Sequence, residues 1–198
     1  MPYLKAALIC FGICVAVVVA ARAETSVMAR AVTSGAGFDA GYGVYGEHIQ
    51  RIGAYFGIQA FGSFLLQKKS PADSGYKWGV GGQARGYLGD WYAGGGIACS
   101  GYDSRFDATD DHPAHHWRKH TFYPTLSAGL DDDMFDVWAT YYFQEGRTVN
   151  QVQAFGGGCS AVLWQGLKVG TSIVRSEYLQ AGKEKESWVG SVSIGWQF

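Results

Sequence analysis

The chain has 198 residues, 47% of them apolar and 17% charged, which suits one folded domain and excludes a disordered segment. Glycine reaches 29 residues against an average near ~7%, with only 4 Pro and no G-X-Y period, so neither a collagenous nor a low-complexity chain fits. A formal net charge of −1 offers no basic field for nucleic acid, and 15% aromatic residues beside so much glycine favour closely packed strands over a helical bundle.

At the N-terminus, Met1 to Lys5 carries one Lys, Ala6 to Ala20 is an uninterrupted apolar run, and Ala21-Arg22-Ala23 places small residues at both positions of an A-x-A site. That order is the pattern of a secretory signal peptide cleaved after Ala23. The apolar run is short of the ~20 residues of a helical span, which makes an uncleaved anchor helix the alternative. Cys14 follows Ile13 rather than a small residue, so lipidation is not expected. The mature chain keeps only Cys99 and Cys159 and, without Lys5 and Arg22, a net charge near −3.

Residues 24–50 carry the weakest pattern. They are expected to form an N-terminal arm or a lumen-contacting segment. The alternative is two added strands, Thr25–Thr33 and Phe38–Val44, with a loop at Ser34–Gly37 and a turn near Glu47–Gln50.

From residue 51 onward the period is two. Ile52, Ala54, Phe56, Ile58, Ala60, Phe64 and Leu66 alternate with Gly53, Tyr55, Gly57, Gln59, Ser63 and Gln67, and at the other end Trp188, Val192, Ile194, Trp196 and Phe198 alternate with Ser191, Ser193 and Gln197. The second face holds Gly, Ser, Gln and Tyr with few charges, unlike the Lys- and Glu-rich outer face of a soluble sandwich. Short links at Gly89-Asp90, Asp131–Asp133 and Gln165-Gly166 alternate with longer polar ones at 68–75, 103–117, 145–150 and 180–187. Strands are expected near 52–67, 76–88, 91–102, 118–130, 134–144, 151–164, 167–179 and 188–198. The expected fold class is therefore all-β: an eight-stranded antiparallel up-and-down transmembrane β-barrel over 51–198, with ten strands as the alternative. Outward aromatics gather at two depths, Trp91, Phe135, Trp164, Trp196 and Phe198 beside the short turns and Phe64, Tyr76, Trp78, Phe122, Tyr141, Phe143 and Trp188 toward the long links, as interfacial girdles should.

The segment from about Arg51 to Phe198, and above all its final run Gly190-Ser-Val-Ser-Ile-Gly-Trp-Gln-Phe198, resembles the small outer-membrane barrels of Gram-negative bacteria, the group of the OmpA transmembrane domain and the OmpX/Ail-like proteins. The resemblance implies an outer-membrane location and contact with outer-membrane lipid and lipopolysaccharide. It also implies insertion by the barrel-assembly machinery, with Gly190, Trp196 and Phe198 as the insertion signal. A monomer is expected, with no cofactor and no nucleic-acid partner.

Three constellations bear on chemistry. Arg85, Asp136 and Lys168 point inward near the short turns and share a level, so they are expected to pair and plug the lumen, joined by the hydroxyls of Tyr55, Tyr87, Tyr92, Tyr123 and Tyr142. His112, His115, His116 and His120 crowd one polar link and are weak metal candidates, but Pro113 argues against the helix that would align them. Barrels of this kind include lipid-A deacylases, palmitoyltransferases, phospholipases and rim proteases, and Asp110-x-His112 is the one pair of that type. It lacks a second acidic pair at the same rim, so no catalytic residue is assigned. Cys99 is expected on the lipid face and Cys159 inward, on strands that are not neighbours, giving two free thiols. The function expected is envelope structure or surface interaction and adhesion through extracellular loops and an extracellular ligand. The alternatives are a narrow porin-like channel, favoured by ten strands, and a rim hydrolase.

Overall fold

The computed structural model describes residues 23–35, 41–70, 73–106, 115–143, 151–180 and 183–198; residues 1–22 of the expected signal peptide lie outside these. Ten antiparallel strands follow one another: β1 Ala23–Gly35, β2 Gly41–Ile52, β3 Phe56–Ser70, β4 Asp73–Leu88, β5 Trp91–Phe106, β6 His115–Asp131, β7 Phe135–Phe143, β8 Gln151–Val162, β9 Leu167–Gln180 and β10 Lys183–Gln197. Each pairs with the next and β10 pairs back onto β1, so the sheet closes and leaves no free edge. The seam extends to the last residue. Phe198 N–H donates to the Thr25 carbonyl at 2.8 Å, and Thr25 N–H to the Phe198 carbonyl at 3.2 Å.

The barrel thus has the ten strands of the alternative rather than the eight of the main expectation, and residues 24–50 supply most of two of them instead of an arm. The outward positions of β1 are the modest Val27, Ala29 and Ala31, and β2 is broken up by Gly41, Gly43 and Gly46, so neither shows a strong apolar stripe. Arg30 and Glu47 interrupt any apolar pattern in sequence, yet both line the lumen.

Tight reversals occupy one end of the barrel, at 53–55, 89–90, 132–134 and the 3-10 turn Trp164–Gly166. Gly53, Gly89 and Gly166, together with Gln165, take the positive φ that such reversals require and that glycine adopts most cheaply. The first reversal lies at 53–55 rather than at Glu47–Gln50. Ala54 and Tyr55 are therefore turn residues, and Tyr55 is exposed instead of lumenal. At the other rim, the long links expected at 68–75 and 180–187 contract because β3 and β4 run to Ser70 and from Asp73, and β9 and β10 run to Gln180 and from Lys183.

Burial is inverted relative to a soluble domain. Val44, Ile58, Ile97, Phe122, Leu126, Ile173, Val192 and Ile194 are exposed, while Ser26, Gln59, Gln83, Arg85, Asp131, Ser160, Lys168 and Ser191 are buried. Trp91, Phe135, Trp164, Trp196 and Phe198 are exposed at the short-turn end, and Phe122 and Trp188 toward the other. Glycine makes the lumen fillable. A Cβ on Gly57 would stand 2.8 Å from the Tyr87 ring, so glycine is what lets that ring lie flat against β3.

Cys99 faces outward between Val80 and Phe122. Cys159 also faces outward, between Val137 and Thr171, and not inward as expected. Its neighbour Ser160 holds the lumenal phase and donates to Asp136 at 2.8 Å. Trp164 misleads the phase because it sits in the 3-10 turn, beyond the end of β8. Both thiols are free.

Candidate functional site: an ionic plug in the lumen

Alternation sends every second side chain of each strand into the barrel, and near the short turns several of those side chains are charged or carry amides. Asp131, at the inner end of β6 and 2% exposed, anchors one side. Arg85 Nη1 lies 3.1 Å from its Oδ2, Tyr87 donates to the same oxygen at 2.8 Å, and Arg51 Nη2 stands 3.7 Å away while also donating to the Asp131 carbonyl. Two phenol rings shelter these guanidinium groups, Tyr92 at 4.0 Å from Arg85 and Tyr87 at 4.4 Å from Arg51.

Lys168, also 2% exposed, anchors the other side. Its ammonium bridges Asp136 on β7 at 2.8 Å and Glu47 on β2 at 3.2 Å. Glu47 further accepts from Ser26 at 3.1 Å and from Tyr45 at 3.0 Å. The two halves meet through amides. Arg85 donates to Gln59 at 2.7 Å, Gln59 donates to Glu47 at 2.9 Å, and Gln83 sits beside both Gln59 and Ser127. Three carboxylates thus face three cations across the barrel, and Tyr87, Ser26, Tyr45, Ser160 and Gln59 add hydrogen bonds to them. Buried ion pairs need that condition, since removing one partner strands a charge at a cost of about 3–5 kcal/mol. From this plug a cavity of about 240 Å³ extends along the lumen past Arg30, Tyr45, Tyr123, Tyr142, Ser172 and Ser191.

The structure brings together the three residues expected to share the lumen: Asp136 and Lys168 touch, and Arg85 reaches them through Gln59 and Glu47. Tyr87, Tyr92, Tyr123 and Tyr142 line it with them. Sequence reasoning missed Glu47 and Arg51, which lie on a strand it offered only as an alternative and ended at Val44, and Asp131, which it placed in a turn. The phase of Thr125 and Ser127, both buried, runs directly to Asp131 and was the signal that could have found it.

Of the candidate histidines, the side chains of His116 and His120 are described, and each has its own partner. His116 Nε2 pairs with Asp103 at 2.9 Å on the outer face, and His120 lies against Trp78 with ring centroids 5.5 Å apart. His112 and the side chain of His115 lie outside the described residues, as do Asp110 and its spacing partner. Among the described residues no group of three or more His, Cys, Asp or Glu side chains could hold a metal ion. Asp103 is itself engaged by Tyr76 at 3.1 Å and Arg118 at 3.2 Å. Gly190, Trp196 and Phe198 share the outer face of β10.

Neither a family profile nor a curated protein sequence matches the chain. Among solved structures, it is similar to the N-terminal β-barrel domain of Pseudomonas aeruginosa OprF, at 10% identity and a TM-score of 0.45 over 88% of this chain and 97% of that one. It is also similar to Ail, the attachment invasion locus protein of Yersinia pestis, at 9% identity and a TM-score of 0.46 over 89% and 96%. The translocator domain of the autotransporter NalP from Neisseria meningitidis aligns at 10% identity and a TM-score of 0.47 over 100% and 95%. The likeness is to outer-membrane β-barrels and is one of architecture alone; the strand count and the lumen chemistry belong to this chain's own pairing.

Proposed function

We propose that the chain is an outer-membrane β-barrel with a non-catalytic role in envelope structure or surface interaction, carried by the links at the rim remote from the short turns. The supporting observation is the combination of an apolar, aromatic-girdled exterior with a lumen crossed by the Glu47–Lys168–Asp136 and Arg85–Asp131 pairs. Such a barrel buries its outer face in lipid and passes no solute through its centre. In this reading the chain reaches the outer membrane after signal cleavage near Ala23 and meets lipid and lipopolysaccharide on its outer face. The barrel-assembly machinery inserts it through the terminal strand signal of Gly190, Trp196 and Phe198, and it works as a monomer.

The competing function is a narrow channel, and planar-bilayer recording separates the two. The folded wild-type protein should give no steady conductance, and Arg85→Ala combined with Lys168→Ala should open discrete steps. Steady steps from the wild type would replace the sealed-barrel reading with a pore.

A further inference from the structure

Lumenal cations differ in one respect. Arg51, Arg85 and Lys168 each have a carboxylate within 4 Å, whereas Arg30, on β1 above the plug, has none among the described residues. Its Nη2 donates to Ser172 at 3.0 Å and to Ser191 at 2.9 Å, and the Tyr45 ring lies 5.9 Å from its guanidinium carbon. These contacts use the two Nη2 protons. The Nε proton and both Nη1 protons have no protein acceptor among the described residues, and Arg30 borders the cavity that extends from the plug. Among the described residues the lumenal carboxylate outside the plug, Glu24, accepts from Gln197 at 3.2 Å and lies six residues nearer the short turns on the same strand, about 20 Å away along it.

Beside Arg30 the same cavity is bordered by Tyr142, Tyr123, Thr140 and Val174, and its carboxylates, Glu47, Asp131 and Asp136, stand at the plug, each against a cation of its own. A guanidinium held there without a counter-charge is costly, and Arg cannot shed its proton to relieve that cost. A mobile anion in the cavity supplies the counter-charge that water alone does not. The cavity, at about 240 Å³, has room for a small ion with part of its hydration shell.

We infer that Arg30, with the Ser172 and Ser191 hydroxyls fixing its orientation, is a binding site for a small inorganic anion inside the barrel. The anion sits against the Nε and Nη1 side of the guanidinium, and the plug below, with its own charges already paired, stops it from passing through. This site is independent of the surface role proposed above and would persist in a barrel of any function.

Chloride is the probe. The full mature chain, folded in detergent and verified by its boiling-dependent gel shift, is titrated with sodium chloride while the ³⁵Cl resonance linewidth is followed. Excess broadening that saturates in the wild type is expected, and Arg30→Met should abolish it while Arg175→Met, which removes an outer-face guanidinium, leaves it intact. Ser172→Asp guards against a variant that merely fails to fold. It places a carboxylate beside Arg30, so the broadening should disappear while the heat-denaturation midpoint rises. Broadening that does not saturate, or that survives unchanged in a folded Arg30→Met or Ser172→Asp protein, would overturn the assignment.

Discussion

Lys168 illustrates how much one side chain carries in a lumen. Among the described residues it is the only cation paired with both Glu47 and Asp136, so Lys168→Met leaves two half-buried carboxylates facing each other. Loss of about 3–5 kcal/mol is expected in urea unfolding from lipid vesicles. Adding Glu47→Gln and Asp136→Asn to the same chain should restore most of it, because the pairs are then replaced rather than broken; a Lys168→Met protein as stable as the wild type would remove the plug from the account. Gly57 shows the steric side. Gly57→Val pushes atoms into the Tyr87 ring and, through it, against Asp131, at an expected cost of about 1–3 kcal/mol in the same unfolding measurement. At this scale sequence reasoning saw Arg85, Asp136 and Lys168 because each interrupts a clear alternation. It lost Asp131 because three consecutive aspartates look like a turn, although only the last two leave the strand.

Strands were legible in proportion to their outer faces. β3 to β10 each carry large apolar or aromatic residues on the outward phase, spaced by small ones, and their bounds differ from expectation mainly where polar strand ends extend past the girdles. β5 explains the extension. Asp103 lies twelve residues beyond Trp91 on the same face, and at ~3.4 Å per residue and a ~40° tilt this is about 31 Å of height against an apolar band of ~25 Å. Asp103 with His116 and Arg118 therefore stands beyond the band, which is why a buried carboxylate occurs on an outer face. β1 and β2 were illegible because small and charged residues occupy them, and their place is fixed by pairing on both sides, β10 with β1 and β3 with β2. The outward phase of both cysteines gives a test of register. Cys99 beside Val80 and Phe122, and Cys159 beside Val137 and Thr171, should both be shielded from a charged maleimide in proteoliposomes and both label with a lipid-soluble one. Labelling of Cys159 by the charged reagent from the lumen would require β8 to slip by one residue.

In the whole molecule the consequences of closure dominate. Ten strands are an even number, so both ends of the barrel chain meet at the short-turn rim, where the Thr25–Phe198 pair completes the ladder. Closure satisfies every edge, which is the condition for crossing a hydrocarbon layer with strands, and within the enclosed space the plug pairs its own charges. Deleting β1, Ala23–Gly35, exposes the β10 edge and removes Ser26 from Glu47, so such a chain should fail to fold in detergent and aggregate. The most direct test of the account is gel mobility of the protein extracted from the outer-membrane fraction, with and without boiling. A closed barrel predicts a faster band before boiling that converts to the full-mass position afterwards. A single position under both conditions, or recovery of the protein only from the soluble fraction, would contradict the membrane barrel itself.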